Sequence, residues 1–140
     1  MTQKNQQTYE YIEFTDGMFG FEQNTKYIPI MLEENSDAVL LLQNIDNDEL
    51  SFLVMNPFIL YEDYDPILSD EDYNALGTRN DEELSYYVIC VIKENIGEST
   101  VNLKCPIVVN VITRKARQVI LESKDYKFRH YLKDFKKEEA

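Results

Sequence analysis

The sequence predicts an all-β, mostly antiparallel, barrel-like domain with one short helix near residues 70–76. Three observations carry that expectation. Eight apolar runs recur at short spacing along the chain, as short strands joined by turns do. Ten Tyr and seven Phe with no Trp weight the composition toward side chains that fit a pleated surface. Only four Gly and four Pro in 140 residues leave no low-complexity linker, so the strands belong to one domain of ordinary size.

The runs in order are YEYIEF at 9–14, KYIPIM at 26–31, AVLLLQ at 38–43, LSFLVM at 50–55, YYVICVI at 86–92, TVNL at 100–103, PIVVNVI at 106–112 and QVIL at 118–121. Asp16-Gly17 turns the chain after the first run, Asn44 to Asp48 after the third, and Asn95 to Gly97 closes a hairpin. Pro106 lacks an amide donor and is expected to start a second strand at an edge or bend after Asn102 to Cys105. The stretch LSDEDYNALG departs from the strand pattern. There Ser69 can cap a first turn, Asp70, Glu71 and Asp72 suit the positive end of a helix dipole, and Gly77 can close the far end. Tyr73 and Leu76 then share the inward face. The domain is expected to span residues 1–132, with residues 133–140 as a charged, flexible tail.

Charge is distributed unevenly. Residues 33–98 hold 17 Asp or Glu against Arg79 and Lys93, a net of −15, whereas residues 99–140 hold five acids and ten Lys or Arg, a net of +5. The whole chain carries −12. Such a field is expected to repel nucleic acid and attract a basic protein; the alternative is that the acidic loops only keep a small β protein soluble. The N-terminus MTQKNQQTYE is polar, without the apolar stretch of a signal peptide, and no later run is long enough to span a membrane as a helix. A cytoplasmic location follows as the expectation. In that reducing compartment Cys90 and Cys105, both among apolar neighbours, are expected to be small buried hydrophobes and not a disulfide.

Few residues point to chemistry. A small hydrolase would have to use a carboxylate pair or His130 with Cys105, because His130 is the one histidine. Two scattered Cys and one His fall short of a zinc site. The acids at 70–72 lack a calcium-loop pattern, so neither metal nor cofactor is expected. Gly17 and Gly20 in FTDGMFGFE read as turn residues, since Met18 and Phe19 would obstruct a pyrophosphate. Phe14, Phe19 and Phe21 around them are expected in the core, with an exposed recognition patch as the alternative. A nucleic-acid-binding β barrel is the other alternative. Its basic cluster would be Arg114, Lys115 and Arg117, which reads more simply as a solvated hairpin turn without interleaved aromatics.

Four blocks, FTDGMFGFE at 14–22, LLQNIDNDELSFLVMNPF at 41–58, STVNLKCPIVVN at 99–110 and TRKARQVIL at 113–121, stand in an order and spacing that resembles the flagellar assembly factor FliW family. The closing RHYL at 129–132 is similar to that family's Arg-His-Pro-Leu. Three departures stand out: Met18-Phe19 where the family usually has Ile-Pro, Tyr131 for a Pro, and Cys105 for an Ala. The resemblance implies a non-enzymatic hub that binds flagellin and the RNA-binding carbon storage regulator CsrA. By holding CsrA it would relieve repression of flagellin translation; unassembled flagellin would occupy the factor and free CsrA, and export of flagellin would reverse the switch. Combined with the charge pattern, it places an apolar partner contact at Asn102, Leu103, Lys104 and Pro106, with Phe58 and Ile59 as weaker candidates. Glu62, Asp63, Asp65, Asp70, Glu71 and Asp72 would form an acidic surface that repels RNA phosphate.

Overall fold

A computed structural model describes residues 10–34 and 36–135. Nine strands form one sheet: β1 (Ile12–Phe14), β2 (Lys26–Glu33), β3 (Ser36–Asn44), β4 (Ser51–Met55), β5 (Leu84–Val91), β6 (Thr100–Val101), β7 (Ile107–Asn110), β8 (Lys115–Gln118) and β9 (His130–Tyr131). Seven of them close on themselves in the order β4-β3-β2-β1-β8-β7-β5, because β5 also pairs with β4 through Val54–Ile89 and Met55–Val88. All pairings are antiparallel except β1 with β8, where Glu13 lies beside Lys115 and Phe14 beside Ala116. The expected barrel is therefore present, closed and mixed by that single parallel pair.

Strand β5 divides its partners. Its first half, Leu84 to Tyr87, pairs with β7, and its end, Cys90 and Val91, leaves the barrel to pair with β6, which in turn carries β9 at the rim. Side chains alternate across each strand, so one sequence feeds two cores. Phe14, Met18, Tyr27, Leu42, Val54, Ile107, Val109 and Ala116 fill the barrel. Val88, Val101, Leu103, Val108, Val119 and Leu121 face the opposite way and pack beneath the chain that crosses from β4 to β5.

That crossover holds both helices. Helix α2 runs from Asp70 to Leu76, as the sequence predicts. Ser69 and Asp72 form a reciprocal capping box, and Gly77 ends the helix in the left-handed region at φ 79. Leu76 is buried and Tyr73 half-buried against the second core. A one-turn helix α1, Pro57–Leu60, is an addition to the expected single helix. Asn56 caps it through Phe58 N–H and Pro57 opens it, a local signal of a helix start.

Three other expectations are corrected. The last strand of the barrel is the charged KARQ, beginning three residues before the apolar run QVIL, and the tight turn lies at 111–114 with Arg114 at φ 67. Phe19 and Phe21 are exposed while Phe14 alone of the three is buried. Met18 takes the interior place between the two glycines. Gly17, at φ 76, has no room for a side chain, since a Cβ there would meet Glu22 Cα at 2.5 Å. Finally, Lys133 to Phe135 do not start a free tail. They lie in a 3₁₀ turn, Leu132–Phe135, with the Phe135 ring 5.6 Å from that of Tyr61. Residues 136–140 lie outside the described residues.

Candidate partner-binding surface

The segment 102–106 is a seam between β6 and β7. Asn102 Oδ1 accepts the amides of Lys104 (3.1 Å) and Cys105 (3.0 Å), which bends the chain before Pro106. Leu103 is fully buried, and its carbonyl accepts the Tyr64 hydroxyl at 2.7 Å. Lys104 reaches back to the Ser123 carbonyl at 2.9 Å. Pro106 is buried, and its carbonyl accepts the Val119 amide. The bend is where the sequence places it. As a contact face, however, the segment is closed over Leu103 and Pro106, and only Asn102 and Lys104 keep partly open surface. Their period-two alternation with buried Val101, Leu103 and Cys105 was a legible sign of this.

The two weaker candidates are open. On α1, Phe58 is 39% and Ile59 63% exposed. Phe58 leans on Tyr64 and Tyr86 at 5.7 and 5.8 Å between ring centroids. Tyr64 thus touches Phe58 on one side and the carbonyl of Leu103 on the other, which sets α1 beside the seam.

The six predicted acids separate into two groups. Glu62, Asp63 and Asp65 are exposed, and among the described residues none of them forms an ion pair. Asp70, Glu71 and Asp72 are tethered. Asp70 pairs with Arg79 at 3.1 Å, and Glu71 lies 3.6 Å from Arg117. Asp72 is buried, accepts the Ser69 amide at 3.0 Å and takes Arg117 Nε at 2.9 Å. It is a structural carboxylate and not part of an open acidic face. Arg117 is equally not the solvated turn residue that the sequence suggested. It projects from β8, four-fifths covered, and also pairs with Asp16. Its partners lie 45 and 101 positions away along the chain, so no local pattern announces them.

Geometry and likeness agree on what kind of protein this is. The FliW protein family matches residues 1–132. The chain belongs to the FliW family. A flagellar assembly factor FliW from Ruminiclostridium cellulolyticum is 40% identical over 126 residues, 89% of this chain and 84% of the relative. One from Alkaliphilus metalliredigens is 35% identical over 123 residues, 88% and 76% of the two chains. A crystal structure of the flagellar assembly factor FliW superposes with a TM-score of 0.82 at 28% identity, over 94% of this chain and 88% of the other.

Within that FliW frame the three departures fall at different depths. Met18 is a barrel plug, and Phe19 beside it is exposed, its amide held by Gln118 Oε1 at 2.9 Å. Tyr131 is exposed under the Lys133 ammonium, 5.3 Å from its ring centre. Cys105 is a buried small side chain where the family pattern has Ala.

Cys105 and His130, the residues a hydrolase would draw on, are both engaged in the fold. Burial pushes the Cys90 thiol up to about 12. At Cys105 burial also raises the pKa and outweighs the lowering effects of Asn102 and the Lys104 charge. A thiol kept neutral and covered is a poor nucleophile. His130 uses Nε2 to accept the Lys127 amide at 2.8 Å, and its pKa is lowered by burial first and by Lys127 second. Among the described residues no group of three His, Cys, Asp or Glu could hold a metal, and no helix is long and apolar enough to cross a membrane. Both thiols should stay unreactive toward an aromatic disulfide reagent in the folded protein and release two equivalents on denaturation. Fast labelling of either in the native state would contradict their burial.

Proposed function

We propose that this protein is a non-enzymatic, cytoplasmic binding factor that holds flagellin and, alternately, the RNA-binding regulator CsrA, relieving repression of flagellin translation. Membership of a family of flagellar assembly factors supports it. The observation that carries the CsrA half is the unpaired acidic run Glu62, Asp63 and Asp65 beside the exposed Phe58 and Ile59. A protein that grips RNA presents basic surface, and this is an apolar centre with an acidic border of the kind such a surface fits. Asn102 and Lys104 adjoin it through Tyr64.

Antagonism would then have two parts. The apolar contact supplies affinity, while the three free carboxylates draw the regulator in and raise the cost of bringing phosphate to the same place. Asp70, Glu71 and Asp72 add less, because their charge is offset by Arg79 and Arg117. The test is a calorimetric titration of purified CsrA, with displacement of a bound RNA oligonucleotide read in parallel. Reversing Glu62, Asp63 and Asp65 together to Lys should weaken binding about tenfold or more and abolish displacement. Full displacement by that variant would remove the acidic run from the mechanism.

A further inference from the structure

A groove of about 710 Å³ lies between the extended chain after Tyr64 and the end of β8. Neither the family likeness nor the acidic run accounts for it. One wall carries Ile67, 74% exposed, and the other Ile120, 58% exposed, with the open Phe19 at one end. Asp65, Glu71 and Glu122 border it. Its one cation, Arg117, is already taken up by Asp16, Glu71 and Asp72.

The backbone of the second wall is half used. Val119 and Leu121 donate their amides inward, to the carbonyls of Pro106 and Lys104. Successive residues of an extended chain point their amides to opposite sides, so those of Gln118, Ile120 and Glu122 turn toward the groove. Strand β1 covers this edge only as far as Ala116, whose carbonyl accepts the Thr15 amide, and then turns away. Among the described residues no backbone group pairs with Ile120.

We infer that the Gln118–Glu122 edge binds an extended segment of a partner protein by strand addition, and that this segment presents apolar residues and Lys or Arg in turn at every second position, on the one face that Ile120 and Glu122 share. An open edge offers main-chain hydrogen bonds, and pockets beside it select every second side chain. The apolar residues of such a strand would lie between Ile67 and Ile120. Its cations would meet Asp65 and Glu122, and an acidic segment would be rejected. The binding mode is the same whichever basic partner protein supplies the strand.

The probe is a fluorescein-labelled heptapeptide of sequence Lys-Ser-Val-Ser-Lys-Ser-Val, acetylated and amidated, which carries lysine and valine on one face of a strand, followed by anisotropy with the full-length protein. Saturable binding is expected, with slowed hydrogen exchange at the Ile120 and Glu122 amides. A version with glutamate for lysine, or with alternate backbone nitrogens methylated, should bind at least about tenfold more weakly. Ile120→Pro removes the outward amide and none of the inward ones, and should give the same loss. Ile67→Asp on the facing wall supplies a second variant should Ile120→Pro fold poorly. Undiminished binding by the methylated or glutamate peptide, or by Ile67→Asp, would overturn the inference. So would unchanged exchange at Ile120, or a dimer in sedimentation that Ile120→Pro dissolves, since the edge would then belong to a second copy of this chain.

Discussion

Leu103→Ala is expected to cost about 3 kcal/mol of folding stability, the usual range for a fully buried leucine that leaves a cavity. In a domain of this size that lowers the melting temperature by roughly 10 °C. The reason is position. Leu103 shows no exposed surface, sits in one core with Val101, Val119, Leu121 and Tyr64, and offers its carbonyl to the Tyr64 hydroxyl. Collapse around the truncated side chain is resisted by that hydrogen bond and by the two amides tied to Asn102. Partner binding measured well below the melting temperature should change little, because a residue at this depth touches a partner only through the shape it maintains. A variant as stable as the parent that has lost its partner would show that the seam opens on binding.

The second large effect is at Arg117. Its side chain is four-fifths covered, and the Asp72 facing it is the one charged residue that is buried among the described residues. Arg117→Met keeps the apolar stem and removes the charge, leaving Asp72 with only the Ser69 amide and Asp16 with no cation. Removing one partner of a buried pair usually costs 3–5 kcal/mol. Because Asp16 and Glu71 can rehydrate, about 2 kcal/mol is expected here. Adding Asp72→Asn should recover part of the loss, since the buried group is then neutral and still able to accept the Ser69 amide. The coupling is read from a double-mutant cycle by chemical denaturation. Equal stabilities for Arg117→Met and the parent would mean that the three carboxylates do not depend on the guanidinium.

The contrast between these two residues shows what the sequence made legible. Helix α2 was readable because its determinants are local: a capping box between Ser69 and Asp72 and a left-handed Gly77 lie within nine residues. The barrel was readable as a class because strand alternation is local too, but its closure was not. Closure depends on Val54 meeting Ile89 and on a parallel pair that joins Glu13 to Lys115 across a hundred residues. The same distance hid the Arg117 node, so a residue that anchors three acids looked like part of a solvated turn. Strand β8 lies ahead of the apolar run QVIL because Val119 and Leu121 only extend a ladder whose paired part is Lys115 to Gln118.

Exposure and pairing across the candidate surface were legible only in part, for a different reason. Charge density is countable in a sequence, yet freedom of charge is not, and only Glu62, Asp63 and Asp65 of the six acids remain unpaired. Exposure likewise inverted the ranking of the apolar candidates, since α1 presents Phe58 and Ile59 while the seam buries Leu103. The open edge at Ile120 follows from where β1 stops, a property of the assembled sheet.

The decisive measurement for the proposed CsrA contact is the association rate of purified CsrA with this protein, followed by stopped flow across ionic strength. If free carboxylates draw in a basic partner, the rate should fall about tenfold or more between roughly 0.02 and 0.3 M salt as screening shortens their reach. The variant with Glu62, Asp63 and Asp65 reversed to Lys should start slower and vary little with salt. A parent rate that is flat across the same range would contradict the account.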